Sequence, residues 1–583
     1  MLSLLGRRWS LCLLLVAGVV QANPVLEYRV EGLESPLRSN VEAWLGPAPE
    51  TVPARANFMV SVRDRTERSL QALGYYRADI DLSLDRQQDP WQLLINVEPG
   101  EPVRIEQLQI QISGAAVEDE AFARLLADKP LREGDVLHHG HYDDFKSSLL
   151  SLGQRRGYFD AELLQHRVSV EPVGATAKVE LHYASGPRYR IGEITVDDAV
   201  LSRDMLATLQ PFEAGDPYEL GRLQTLQAQL QRTGYFSGIT VRPQLEQRAD
   251  GKVPLLLELH AAKRHSFDVG IGYSTDTEER LSLTWRTPRI NRHGHSQETR
   301  LEYSAINPSG RVAYNIPLTH PLDDVLQFSA RLEQNEFGDM DSLQRELMVR
   351  RERRSGNWIR SYHVRVLDEQ WDAGPIRDDE RYLLPGLSLS HKWREGPLVN
   401  PLRGFSQFYS LEGTSGSLGS DIDMLRVYGH WVYVTPLGEG HRLVARTEAG
   451  AAFIGEGQRD ALAPSLSFFA GGSQSLRGFS YQSIGNRTTL ELDDGERRDF
   501  VLGGDRLLAG SLEYQYRFLP NWRAAVFADA GDAFDEGEFE AHYAAGLGLH
   551  YLTPVGAIKF ELARSLSEDQ PGWEVHINIG AEF

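Results

Sequence analysis

The sequence predicts a multidomain chain. Three small α+β units, each ordered β-α-α-β-β, lead into a transmembrane antiparallel β-barrel, with sixteen strands as the best fit. Three observations carry this. A Gly-aromatic marker that ends an amphipathic helix recurs three times in the first half of the chain. Helical periodicity then vanishes beyond Ser266. The last eleven residues alternate, with Trp573, Val575, Ile577, Ile579, Ala581 and Phe583 on one side and Glu574, His576, Asn578, Gly580 and Glu582 on the other. Lipid can solvate one such face and a polar lumen the other, provided no free strand edge remains in hydrocarbon.

Residues 1–22 read as a secretory signal: Arg7 and Arg8, an apolar run from Leu11 to Val20, and a Val20-Gln21-Ala22 cleavage site. Cys12 is the only cysteine and follows Leu11, where a lipoprotein signal wants a small residue, so a mature chain has no thiol or disulfide chemistry. The formal net charge is −21, and loss of the two signal arginines makes it more negative. Such a balance excludes nucleic acid, whose phosphates require a basic surface. No later stretch of about 18 apolar residues offers a spanning helix.

The three units follow as residues 23–100, 101–187 and 188–263. Their markers are Gly74-Tyr75, Gly157-Tyr158 and Gly234-Tyr235, each closing a helix and expected to open the next strand. Alternating runs follow each marker, at 76–84 with 91–97, 159–168 with 178–183, and 236–241 with 253–259. A strand opens each unit at 26–30, 103–112 and 189–196. Residues 264–583 form the β region. Phe267, Val269, Ile271 and Tyr273 alternate with polar residues and glycines, as do Leu281, Leu283 and Trp285. At about nine to eleven residues per strand the length suits about sixteen strands, and counting alone allows roughly twelve to eighteen. Charges on the polar face favour a wet lumen over a packed core.

A glycine-rich segment, 471–481, interrupts the β pattern and carries Leu476-Arg477-Gly478-Phe479. Downstream, Asp529 is out of phase with Val526, Ala528 and Ala530. Glu561 and Lys559 are out of phase with Ile558, Phe560 and Leu562. Both carboxylates therefore point inward, where a folded-in loop would bring them the planar fork of Arg477.

This set resembles the superfamily of outer-membrane assembly proteins that includes BamA, TamA and the two-partner secretion transporters. That superfamily is marked by an Arg-Gly-aromatic loop tip held against acids of late barrel strands. The repeats resemble its periplasmic POTRA modules, and three of them match the TamA branch rather than the five of BamA or two of the secretion transporters. The stretch 510–516 and the ending Ile579-Gly580-Ala581-Glu582-Phe583 also resemble that branch, whereas Ala557 departs from a frequent second proline. The resemblance implies an outer-membrane subunit that assists insertion of outer-membrane proteins such as autotransporters. It further implies a TamB-like, inner-membrane-anchored partner engaged through the first POTRA unit.

The implied working part is a weak lateral seam. Its first strand holds Phe267, Val269, Gly270, Ile271, Gly272 and Tyr273; its last holds Ile577, Ile579, Gly580 and Phe583. Such a seam could admit an incoming strand by β-augmentation. Its glycines suit a frayed pairing or, equally, relief of crowding. No G-x-S-x-G, H-E-x-x-H or G-x-x-x-x-G-K-[ST] is present, so no enzyme, catalytic residue, cofactor or metal site is expected. Gly270-x-Gly272 and Gly546-x-Gly548 lack the helix of a nucleotide site. His138, His139 and His141 could catch a metal but read as a solvated loop. The rival readings are a secretion pore for one dedicated exoprotein, disfavoured by three units and little room for a plug helix, and a BamA-type general insertase.

Overall fold

A computed structural model describes residues 24–197, 200–397, 400–492, 496–554, 556–567 and 572–580. The signal segment, with Arg7, Arg8 and Cys12, and the terminal Phe583 lie outside the described residues. The chain divides into two compact units. The first holds two α+β repeats and part of the third; the second holds the rest of the third and the β region.

The first repeat runs β1 (Leu26–Glu31), α1 (Leu37–Leu45), α2 (Val52–Ala72), β2 (Asp79–Asp85) and β3 (Trp91–Glu98). Two helices between β1 and the hairpin let β1 lie parallel to β3, while β2 pairs with β3 antiparallel. Leu26, Val41, Val62, Leu70, Leu93 and Ile95 form its core. The second repeat runs β4 (Arg104–Ser113), α3 (Glu120–Ala127), α4 (His139–Arg156), β5 (Glu162–Glu171) and β6 (Thr176–Ala184). It has the same order, β4 parallel and β5 antiparallel to β6. The third runs β7 (Arg190–Asp197), α5 (Arg203–Thr208), α6 (Leu220–Arg232), β8 (Phe236–Pro243) and β9 (Lys252–Ala261), with sheet order β7-β9-β8.

All three marker glycines are left-handed, with φ of +91°, +85° and +69° at Gly74, Gly157 and Gly234, as a helix-terminating residue requires. The marker tyrosines do not open a strand: β2 and β5 begin only at Asp79 and Glu162, and β8 begins one residue after Tyr235, at Phe236. The rings have other work. Tyr75 packs on the first core. Buried Tyr158 donates its hydroxyl to Asp119 at 3.0 Å, and Tyr235 donates to the Gly294 carbonyl at 2.8 Å, in the turn after the second barrel strand. Turning a ring inward takes residues that a strand would have used.

The histidine cluster is no solvated loop. His138 caps α4 by accepting the His141 N–H at 3.2 Å, its ring stacks on His141 at 4.0 Å, and His139 meets the Tyr76 hydroxyl at 2.5 Å.

Sixteen antiparallel strands form one sheet in which chain neighbours are sheet neighbours, from Ser266–Ser274 to Trp573–Gly580. Among the described residues the only departure is a small separate hairpin, Arg487–Glu491 with Arg497–Val501, inside the loop between the eleventh and twelfth strands. Outward residues are apolar and bare: Phe267 is 64%, Val269 68% and Ile271 87% exposed, which only a lipid-facing wall tolerates over so many strands. Among the described residues no helix is long and apolar enough to cross a membrane. Inward residues pair as charges, for example Arg365 with Glu412 at 2.9 Å and with Glu346 at 3.1 Å. The lumen is not polar throughout, however. Leu462, Leu466, Phe468 and Leu476 of the long loop pack with Trp371 and Tyr382 of the wall into a dry cluster. Strand alternation could not reveal this, because the apolar partners come from the loop.

Asp119 anchors the second repeat, accepting from the Ala121 N–H at 3.0 Å, Arg156 Nε at 2.7 Å and Tyr158. Burial works to raise its pKa, but those hydrogen bonds prevail and hold the carboxyl below its ordinary value. Burial and the Asp119 carboxylate push Tyr158 up to about 12. A depressed carboxyl stabilises above its unfolded pKa and loses that contribution as pH falls through the folded value. Thermal melts of the full chain in detergent, from about pH 7 to about pH 3, should show Asp119→Asn lowering stability most at neutral pH and flattening the acid limb.

Candidate functional site

The site forms where the loop between the eleventh strand (His441–Ile454) and the twelfth (Arg506–Leu519) folds into the barrel. Backbone pairs keep the loop narrow as it descends: Phe468 with Gly504, both bonds 2.8 Å, and Ala470 with Ile484 at 2.9 and 3.0 Å. The tip closes on itself, the Gly472 N–H donating to the Phe479 carbonyl at 3.0 Å. Gly478 has φ +96°. A Cβ there would come within 2.9 Å of Ala544 Cβ and of the Arg564 carbonyl carbon, so only glycine seats the tip this deeply. Buried Leu476 joins the dry cluster, and the Phe479 ring stands edge-on to His542 at 5.4 Å.

Arg477 is wholly buried, 0% exposed. Its Nε and Nη2 bind Asp529 bidentately at 2.8 and 2.9 Å, and its own backbone N–H reaches Asp529 at 3.0 Å. Nη1 divides between Glu513 at 2.6 Å and Glu561 at 2.9 Å; Nη2 also reaches Ser511 Oγ at 2.8 Å. Every N–H of the fork is thereby used. The guanidinium lies 3.4 Å from the centroid of the Phe527 ring. The twelfth, thirteenth (Trp522–Phe534) and fifteenth (Gly556–Ser565) strands all converge on this one cation.

The structure brings Arg477, Asp529 and Glu561 together. Sequence reasoning missed Glu513, Ser511 and Phe527. Their signal was present: Ser511, Glu513 and Gln515 alternate with outward Leu512, Tyr514 and Tyr516. Glu513, His550 and Glu561 present possible metal-ligand atoms within 4.8 Å of one another, but Arg477 Nη1 already bonds both glutamates.

The predicted seam strands are the two ends of the sheet. Phe267, Val269, Ile271, Tyr273 and Ile579 face outward, and Gly580 pairs with Ala557 of the fifteenth strand. The two ends meet where the Thr275 N–H donates to the Ile577 carbonyl at 3.3 Å and the Ile577 N–H to Thr275 Oγ1 at 3.4 Å. A Cβ on Gly270 would stand 2.6 Å from Ser282 Oγ, favouring relief of crowding there, whereas Gly272 has its first neighbour at 4.0 Å.

A loop tip held by a buried arginine among late-strand acids, in a barrel whose sheet ends barely pair among the described residues, matches one family. Residues 263–583 match the Omp85 superfamily domain. The chain belongs to the Omp85 superfamily. Residues 27–99 match the POTRA domain TamA domain 1. The fold resembles BamA from Haemophilus ducreyi lacking POTRA domains 1–3, at 15% identity and TM-score 0.70, over 82% of this chain and 99% of that one. CdiB from Acinetobacter baumannii is also similar, at 16% identity and TM-score 0.44, over 82% and 90%. Omp85 proteins are outer-membrane insertases and transporters rather than enzymes, which gives this barrel its station in the outer membrane.

Stranding three buried carboxylates should cost about 3–5 kcal/mol. Arg477→Ala is therefore expected to release the loop to protease while the barrel stays membrane-embedded. Arg477→Lys should rescue only partly, because an ammonium cannot reproduce the bidentate fork. Limited proteolysis of membranes, with a heat-modifiability gel for the barrel, reads both.

Proposed function

We propose that the chain is the outer-membrane subunit of a translocation and assembly module. In this reading it assists insertion of outer-membrane proteins, autotransporters among them, through the seam between its first and last barrel strands. Supporting it above all is the combination in one chain of a TamA-type first POTRA domain with an Omp85 barrel. The three repeats, with limits at 23–100, 101–187 and 188–263, extend into the periplasm, and the first engages a TamB-like protein anchored in the inner membrane. The barrel, 264–583, supplies the seam. An incoming strand finds there an edge whose backbone groups are underused and pairs with it by β-augmentation. The barrel forms no covalent bond with its client; the work is exchange of strand pairing under the constraint that hydrocarbon leaves no backbone group unpaired.

Two measurements test this. Affinity capture of the full chain from solubilised envelopes should bring down one large inner-membrane-anchored protein, and deleting residues 23–100 should abolish that capture. Recovery of a single secreted protein instead would favour a dedicated exoprotein pore. Separately, Cys12 being the sole native cysteine, Thr275→Cys with Ile577→Cys should form a disulfide across the seam. Oxidation should then stop autotransporter assembly, and reduction restore it.

A further inference from the structure

We infer that the loop also bolts the seam. Ser473 and Asp276 are positioning residues that hold the first and last strands together, and those strands part only after this contact is released. The inference rests on the seam reading but not on which client enters.

The direct hold between the two sheet ends is weak, since its two bonds, at 3.3 and 3.4 Å, are long beside the usual 2.9 Å or so. The loop contributes stronger ones. Ser473, 1% exposed and four residues before Arg477, donates both its N–H at 3.0 Å and its hydroxyl at 2.6 Å to Asp276 Oδ2. Asp276 is itself buried in the turn that follows the first strand. That turn is pinned to the third strand (Ser296–Ser304), where Ser304 Oγ donates to the Thr277 carbonyl at 2.9 Å. From the other side of the seam, Asn578 Nδ2 reaches Ser473 Oγ at 3.4 Å. His576 Nδ1 stands 3.7 Å from Asp276 Oδ1, too far for a hydrogen bond, and Ser480 Oγ donates to Glu574 at 3.0 Å.

One short segment of loop thus touches the turn that follows the first strand and the last strand itself, and it is joined to the tip. The Gly472 to Phe479 closure and a Ser475 N–H bond to the Gly472 carbonyl at 3.3 Å tie Ser473 to Arg477 as one body. Arg477 fixes that body to the late wall, and Ser473 fixes it to the seam. A cavity of about 560 Å3 opens beside the contact, lined by Tyr273, Arg280, Tyr481, Asn578 and Ile579 among others, so solvent has a path to the seam once the bolt is drawn. Charge-assisted bonds to a buried carboxylate are the strong ones, and here they stand in for ladder bonds that the sheet ends lack among the described residues.

Hydrogen exchange by mass spectrometry, on the full chain in lipid nanodiscs without client, tests this. Asp276→Ala should speed exchange of amides in 266–277 and 572–580 about tenfold, and Ser473→Ala, which keeps the backbone bond, about threefold. The eighth (Ile376–Glu395) and ninth (Arg403–Thr414) strands should exchange as in the native chain. Unchanged seam exchange in Ser473→Ala would overturn the inference, as would a rise spread evenly around the wall. If Asp276→Ala does not fold, Ser473→Ala decides alone. The readout needs neither substrate nor partner, so its failure is distinct from failure of the proposed function.

Discussion

The twelfth, thirteenth and fifteenth strands of the barrel meet at one wholly buried cation, Arg477. Alone, the guanidinium of Arg477 in so dry a place would be prohibitively unfavourable, and so would three carboxylates without it. Together, with a full complement of hydrogen bonds and an aromatic floor, each makes the others tolerable. A buried pair of this kind is weak evidence for stability as such. What it does secure is a register: the loop must sit where three strands present their acids, and those strands must align to present them.

The repeats solve a different problem with similar means. Each is small, and its core draws on one face of a three-stranded sheet and two helices. The marker tyrosines extend those cores outward. Tyr158 ties its helix end to Asp119, and Tyr235 reaches a barrel turn. A sequence signal first read as a strand start is thus an anchoring device placed immediately after a left-handed glycine.

Much of this was legible in the sequence because period-2 alternation and repeated helix ends are local signals. Asp529 and Glu561 declared themselves by phase, and Arg477 by sitting in a segment too glycine-rich to be a strand. Glu513 obeys the same phase rule, but the stretch around it stands out by its resemblance rather than by its inward face. The Ser473–Asp276 contact was beyond reach. Its partners lie almost two hundred positions apart, and neither a serine nor a turn aspartate stands out by type. The apolar packing in the lumen was hidden for a related reason, since loop residues carry no periodicity to betray which wall they meet.

Gly478 limits the intermediate positions open to the loop tip. With backbone and a methyl group pressed against its α-carbon on one side and an ion cluster gripping its neighbour on the other, the tip has a single seated depth. Slight withdrawal would break the bidentate link to Asp529. The segment therefore behaves like a key with one notch, engaged or withdrawn, and the strands it touches inherit that all-or-none character.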